Sequence, residues 1–291
     1  MNFCSMVAIL GAPNAGKSTF VNYVTGQKVA IVCDKPNTTR NSIYGIACQE
    51  DYQIIFVDTP GLILSPDGLL QKTMSRIAWK SSKQADVCLI MIDCKKPDFA
   101  VTDLLVKECL QRQKPLLMVM NKMDLLPKDQ ILPLIGRYAE LQDQIVGYFP
   151  VSCKTGKGID VVMDQVKKLT PQGPWLFPKE EVTQVPWAFS MAEITREKVF
   201  NSVHQEIPYG THVETEDFQW SAGSKKNLAI WQAIFVQKEG HRRLVLGHHG
   251  RRIKHIGSLA RMDMEDFNQC PVYLTLFVKV DPAWSGKYNF E

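Results

Sequence analysis

The sequence predicts two domains: a doubly wound α/β domain with a mixed, mostly parallel sheet, then a smaller α+β domain. Three observations carry this. Short, β-branched apolar runs alternate with helix-like stretches through the first half. A proline-rich break falls at Thr170-Pro171-Gln172-Gly173-Pro174 and again at Pro178. Beyond it the order becomes helix, two strands, two helices and a strand. A length of 291 residues suits two domains better than one.

The strand-like runs are Met6–Leu10, Ser42–Cys48 with Gln53–Val57, Val87–Asp93, Leu116–Asn121 and Gly147–Ser152. They are nearly continuous in apolar residues, which is the pattern of strands buried on both faces. The pair joined across Gln49–Tyr52 reads as an antiparallel hairpin. Amphipathic stretches at Leu69–Lys83 and Thr102–Gln113 supply covering helices. We place the first domain at 1–172, a linker at 173–190 and the second domain at 191–291. In the second domain a helix is expected at Ala192–Gln205. Strands follow at Thr211–Gln219 and Leu228–Val236, then a short helix, a glycine turn, a longer helix and a strand at Val272–Val280.

A hydrophobic content of 45% with 22% charged residues is ordinary for a soluble globular protein. The longest apolar runs, Val87–Ile92 and Leu116–Met120, are too short to span a bilayer. The start, Met1-Asn2-Phe3-Cys4, lacks a signal or transit pattern, so a cytoplasmic chain is expected. The eight cysteines include no CxxC pair and read as reduced thiols. The net charge of +4 is unevenly placed. Between Lys238 and Arg261 lie seven basic residues, four histidines and one acid, Glu239, inside an otherwise neutral half. A concentrated basic segment in a neutral domain points to a polyanion.

Gly11-Ala12-Pro13-Asn14-Ala15-Gly16-Lys17-Ser18 fits GxxxxGK[ST] directly after the first strand and before a helix, the P-loop context. Its backbone N–H groups and the helix N-terminus face phosphates, Lys17 reaches the β/γ-phosphates and the Ser18 hydroxyl binds Mg²⁺. Thr19 continues the same helix and completes this set. Asn121-Lys122-Met123-Asp124 ends a later strand, at the ligand-binding edge of an α/β sheet. A carboxylate at Asp124 accepts from both the ring N1–H and the exocyclic amine of guanine, a donor pair adenine lacks. Ser152-Cys153-Lys154 resembles the SAK element that closes over guanine. Cys153 stands for the alanine, whose contact is a backbone N–H.

Asp58-Thr59-Pro60-Gly61 ends the strand Ile54–Val57. A DxxG tetrapeptide arises about once by chance in such a chain, so its weight comes from position. There Asp58 holds the water shell of Mg²⁺ and the Gly61 N–H meets the γ-phosphate. Asn37-Thr38-Thr39-Arg40 supplies the switch I threonine, with Thr39 favoured as Mg²⁺ ligand and Thr38 the alternative. The catalytic set is then Lys17, Thr39 and Gly61. The next residue is Leu62, where a water-orienting glutamine stands in Ras-type enzymes. An apolar side chain cannot orient water, so slow conversion of GTP to GDP and phosphate is expected. The loop resembles the G-x-P-N-x-G-K-S form in which the asparagine binds K⁺, and that resemblance makes Asn14 a candidate K⁺ ligand.

Leu246-Gly247-His248-His249-Gly250-Arg251-Arg252-Ile253-Lys254-His255-Ile256-Gly257 gives GxxG, basic residues and Ile-x-x-Ile-Gly. This is the KH pattern, whose loop clamps the phosphates of a short single strand. Leu246, Ile253 and Ile256 are expected to floor an apolar groove for bases. The preceding α-β-β order and the basic cluster strengthen the KH reading.

From end to end the chain resembles the bacterial Era family, a GTPase domain joined to a type II KH domain. Glu193-Ile194-Thr195-Arg196-Glu197-Lys198, Pro208-Tyr209 and Val272-Tyr273-Leu274 through Val278-Lys279-Val280 fit as well as the nucleotide motifs. The resemblance implies binding near the 3′ end of 16S ribosomal RNA, a role in 30S subunit maturation, and loose association with the inner membrane. We expect a monomer. Ala12 stands where many members have arginine, and the tail past Trp284 is short. Two other readings stay open. One is a metabolic or tRNA-modifying GTPase whose basic segment only decorates the surface. The other is an RNA-binding module with a vestigial nucleotide site, against which Lys17, Ser18, Asp58 and Asp124 argue.

Overall fold

Successive side chains of the first strand, β1 (Phe3–Gly11), enter two different cores. Val7 and Ile9 pack on one side of the sheet and Ala8 and Leu10 on the other. That two-sided burial is why the strands read as continuous apolar runs. The structure is a computed structural model that describes residues 1–32, 43–62, 76, 78–127, 130–141, 143–203, 211–221 and 227–283.

The remaining strands of this sheet are β2 (Ile43–Gln49), β3 (Tyr52–Asp58), β4 (Val87–Asp93), β5 (Leu116–Asn121) and β6 (Gly147–Pro150). Their order is β2-β3-β1-β4-β5-β6. Only β2 runs antiparallel to its neighbour, as the hairpin reading expected. Helices α1 (Lys17–Thr25), α2 (Phe99–Gln111), α3 (Ile131–Gly136) and α4 (Ile159–Leu169) complete the doubly wound unit. Asp98 starts α2 by accepting the Val101 N–H at 3.1 Å, as an N-cap does. Strand β6 stops two residues short of the expected Ser152, although the Val151 N–H still donates to Met120 O at 2.8 Å. Of the amphipathic stretch Leu69–Lys83, residues 78–83 fall in a described helix, and most of the rest lies outside the described residues.

The division into two compact units falls between Gln184 and Val185, and Ile31 and Val32 are counted with the second. That boundary lies inside the segment read as a linker, 173–190. Its first part lies along the β2–β3 hairpin. The Ile46 N–H donates to Val182 O at 2.7 Å, and Thr183 Oγ1 donates to Tyr44 O at 2.7 Å. Gln53, fully buried on β3, donates to Phe177 O at 2.8 Å and accepts the N–H groups of Leu176 (2.8 Å) and Phe177 (3.0 Å). The reason is that β2 is an edge strand, and this strap pairs backbone groups an edge leaves open.

The second unit begins with α5 (Trp187–Ser202), five residues earlier than expected, with Pro186 at its N-cap where a missing N–H costs nothing. Strands β7 (Thr211–Trp220), β8 (Leu228–Val236) and β9 (Val272–Val280) form a sheet in that order, β7/β8 antiparallel and β8/β9 parallel. Helices α6 (Glu239–Leu246) and α7 (Arg251–Asn268) join α5 on one face. The core there includes Val199, Val213, Ile234, Val245 and Ile256, and, farther along, Met191, Ile230, Ala260 and Met264. Inside it runs a polar chain: Thr195 Oγ1 donates to Gln232 Oε1 at 2.5 Å, and Gln232 Nε2 donates to Thr215 Oγ1 at 3.0 Å.

Candidate nucleotide and RNA sites

In the first unit β1 delivers the P-loop to the C-terminal edge of the sheet. Gly11 closes the strand, Ala12 and Pro13 are half-buried, and Asn14 is exposed with a left-handed backbone (φ 63°). Ala15 is buried, and Gly16, also at positive φ, caps α1. Lys17 and Ser18 open that helix, with Thr19 following half-buried. Lys17 Nζ donates to Gly11 O at 3.2 Å and Ala12 O at 2.9 Å. Burial pushes this ammonium down to about 8, and the Asp58 carboxylate opposes that shift. Ser18 Oγ donates to Asp58 Oδ2 at 2.7 Å. The P-loop and the end of β3 therefore meet at one oxygen-rich point.

Thr59 is fully buried and anchors its stretch by donating to Ile9 O at 2.6 Å. Pro60 and Gly61 follow, both buried, with Gly61 against the Pro13 backbone. The Leu62 N–H donates to Gly11 O at 3.1 Å, and the Leu62 side chain is only 3% exposed, packed in the core beside Leu10, Ala78 and Ile90. It is turned away from solvent as well as apolar. Thr38 and Thr39, with Asn37 and Arg40, lie outside the described residues.

Asn121 is 2% exposed and joins two loops 106 and 32 residues away. Its Nδ2 donates to Ala15 O at 2.8 Å, and its Oδ1 accepts the Cys153 N–H at 3.0 Å. The backbone N–H that the sequence offered to guanine is thus held by Asn121. Nothing in the spacing of the motifs signalled this brace. Lys122, at positive φ (65°), donates to Asp93 Oδ2 at 2.6 Å, a partner sequence reasoning missed. Asp124 is exposed in the single turn Met123–Leu125. Ser152 is buried, and its Oγ accepts the Thr155 N–H at 3.3 Å. Burial pushes the Cys153 thiol up to about 12, with the Asp124 carboxylate adding to the effect. Lys154 is exposed at the same loop. Tyr23 on α1 lies directly over Gly156, a further contact absent from the motif set.

In the second unit the turn Gly247–Gly250 separates α6 from α7. Gly247 has φ 70°, and a Cβ there would come within 2.6 Å of Arg252 Cβ, so only glycine fits. His248 and His249 are exposed at the loop tip with edge-to-face rings 4.1 Å apart. Gly250 caps α7, whose first turn carries Arg251, exposed, and Arg252, half-buried and bonded to Leu244 O. A helix N-terminus with arginine beside it is suited to phosphate.

Two cavities flank α7. One, about 570 Å³, takes its lining from Gly247, His248, Arg251, Arg252 and His255, with Asn201 from α5. The other, about 340 Å³, runs between α7 and β9 and is lined by Ile253, Lys254, Gly257, Arg261, Leu274 and Leu276. The expected groove floor needs correction. Ile256 is fully buried in the core against Val245 and Val199, and Leu246, half-buried, lines neither cavity. Three residues apart on one helix face, Ile253 and Ile256 are still offset by about 60°, which sets Ile253 at the groove and Ile256 in the core. The apolar partners of Ile253 come from β9 instead. The alternation Val272, Leu274, Leu276, Val278 marked those residues as inward-facing but not as groove lining.

Both parts of the chain resemble known proteins. Residues 6–122 match the family described as 50S ribosome-binding GTPase, and residues 206–285 match the KH domain. GTPase Era of Mesorhizobium japonicum is 38% identical over 278 residues, covering 96% of this chain and 88% of its own length. GTPase Era of Nitratidesulfovibrio vulgaris is 39% identical over 295 residues, covering 99% and 94%. Among solved structures, a variant of Aquifex aeolicus Era bound to GDP and AlF4⁻ is 33% identical, with a TM-score of 0.90 over 99% of this chain and 97% of its own. An Era in complex with MgGDPNP and nucleotides 1506–1542 of 16S ribosomal RNA is 33% identical, with a TM-score of 0.89 over 100% and 97%. With both domains matched in order and the likeness running through nearly the full length of each relative, the chain belongs to the GTPase Era family.

Proposed function

We propose that this protein is a GTP-hydrolysing switch that binds 16S ribosomal RNA near its 3′ end through its KH domain and acts in 30S subunit assembly. The observation that carries the reading is the meeting of Lys17, Ser18 and Asp58 at one point of a chain that also bears the Gly247–Gly250 loop. The relatives' complexes support it, since one holds MgGDPNP together with a 16S segment.

Ser18 Oγ and Asp58 Oδ2 are hard oxygens at a spacing that fits Mg²⁺ chemistry. In this reading Ser18 holds Mg²⁺ directly and Asp58 through water, with Thr39 as third ligand and Thr38 its alternative. Bound there, the ion neutralises charge on the β- and γ-phosphates. Lys17 binds the same oxygens, and the P-loop N–H groups from Gly11 to Ser18 cradle them. Asp124 reads guanine, Lys122 and the 152–154 loop flank the base, and Asn121 holds P-loop and base loop in register. The Gly61 N–H senses the γ-phosphate. With Leu62 buried, no side chain at that position places the water, and hydrolysis is slow. Asn14, exposed in the P-loop, would supply an oxygen for K⁺.

In the KH unit, the Gly247–Gly250 turn, Arg251 and Lys254 clamp phosphates while Ile253 lies under the bases. We read the protein as a cytoplasmic monomer. Among the described residues no helix is long and apolar enough to cross a membrane, and peripheral association with the inner membrane rests on the family resemblance.

The test is phosphate release from GTP with and without K⁺ and with an RNA oligonucleotide of the 16S 3′ end, alongside RNA affinity in GDP and in a non-hydrolysable GTP analogue. Equal RNA affinity in both nucleotide states would overturn the switch, and absence of phosphate release at high K⁺ would overturn the catalysis.

A further inference from the structure

Among the described residues the helices cover one face of the sheet β7-β8-β9, and the opposite face carries a pattern the RNA reading does not use. Rows across the three strands place Asp217 beside Trp231 and Thr275, Glu214 beside Ala233 and Phe277, and His212 beside Phe235 and Lys279. The next row is Gln219, Ala229 and Tyr273. All of these alternate with the residues that enter the core, such as Ile230, Ile234, Leu274 and Leu276, so they share the outer face. Tyr273 is 65% exposed and Phe277 48%, with Trp231 and Phe235 half-buried between them and the acidic strand.

We propose that this face docks a basic protein segment with apolar side chains. Large aromatics grouped on one face mark an interaction surface, and Tyr, Trp and Phe are the side chains that anchor interfaces. Charge selects the partner. Glu214, Glu216 and Asp217 stand along β7, and Lys279, the one ammonium on the face among the described residues, is tied to Glu216 and lies 5.9 Å from the Phe235 ring. An acidic edge repels the phosphates of RNA and attracts lysine and arginine. The basic segment of this domain, Lys238 to Arg261, lies on α6, the loop and α7, so the two faces of the sheet address polymers of opposite charge.

The test uses the full chain and a fluorescein-labelled amphipathic peptide built of Lys, Leu and Ala, read by fluorescence anisotropy. The expected result is binding that weakens at least about tenfold in the double variant Tyr273→Ser, Phe277→Ser and in Glu214→Lys, Asp217→Lys. Arg251→Ala, which removes an exposed arginine beside the GxxG loop without straining the turn, should leave peptide binding unchanged. Equal binding of a peptide with Glu in place of Lys, or unchanged binding by the double variant, overturns the proposal. Displacement of the peptide by oligoadenylate RNA assigns the face to nucleic acid and also overturns it. So does a dimer in sedimentation that the Tyr273→Ser, Phe277→Ser variant dissolves, because the occupant is then a second copy.

Discussion

Asn121 reaches from the end of β5 to the backbone of Ala15, its Nδ2 2.8 Å from the Ala15 oxygen, and fixes the P-loop to the guanine side of the sheet. Its Oδ1 is committed to Cys153. Replacing it with alanine leaves a buried carbonyl and a buried N–H without partners. We expect Asn121→Ala to cost about 2 to 4 kcal/mol in urea unfolding. Asn121→Asp keeps the acceptor for Cys153 and loses the donor to Ala15, so it should separate the two bonds. GDP affinity, followed with a fluorescent analogue, should fall in both variants.

Leu62→Gln is the substitution a Ras comparison would suggest for faster hydrolysis. Here the side chain at 62 packs beside Leu10 and Ile90, and an amide there has to be buried. The variant should lose about 1 to 3 kcal/mol of stability and show no rise in phosphate release. A faster release with unchanged stability would show that the side chain turns outward.

Lys17 gives a pH signature. Its ammonium titrates near 8 because it is buried, whereas a bound triphosphate beside it favours the charged form and raises that value. Below about 8 the lysine is protonated with or without nucleotide, so affinity there is independent of this group. Above about 8 binding must take up a proton, and affinity should drop by up to about tenfold per pH unit until the bound-state value is passed. Titrating a fluorescent, non-hydrolysable GTP analogue across this range checks it. Lys17→Arg should remove the break in the curve.

The two loop glycines should differ. Gly247→Ala meets both a positive φ and Arg252 Cβ, and should cost about 2 kcal/mol or more. Gly250→Ala has the same sign of φ but open space around it, and should cost about 1 kcal/mol. RNA affinity measured by filter binding should follow that order.

Gln53→Ala removes three hydrogen bonds from the strap along β2 and β3. A loss of about 2 to 4 kcal/mol in the first unit is expected. A chain ended at Gln184 should unfold at higher urea than one ended at Gln172.

The main plan of the fold was legible because its signals are local. Two-sided apolar runs gave the strands of the first sheet, and GxxxxGKS and NKMD each occupy one loop whose place on a strand end can be read directly. What stayed hidden depends on residues far apart in the chain. The brace at Asn121 joins positions 106 and 32 residues away, and the Thr195–Gln232–Thr215 chain crosses from helix to two strands. The strap within the 173–190 segment stayed hidden because prolines mark a break in helix or strand pattern. They do not show whether the segment then packs against an edge, and Gln53, polar within an apolar strand, was the one clue that it does. Ile256 looked like groove lining because a motif spacing fixes neighbours along a helix and leaves the facing strand unspecified.

The strap also sets an order of events during synthesis. Strands β2 and β3 leave the ribosome more than a hundred residues before Val182 and Thr183 that cover their edge. Through that interval the hairpin carries an open edge and an empty place beside Gln53, and domains that emerge first are exposed to mispairing until their last segment arrives. The nascent first unit is therefore finished only by residues that its own nucleotide motifs, complete by Lys154, do not need.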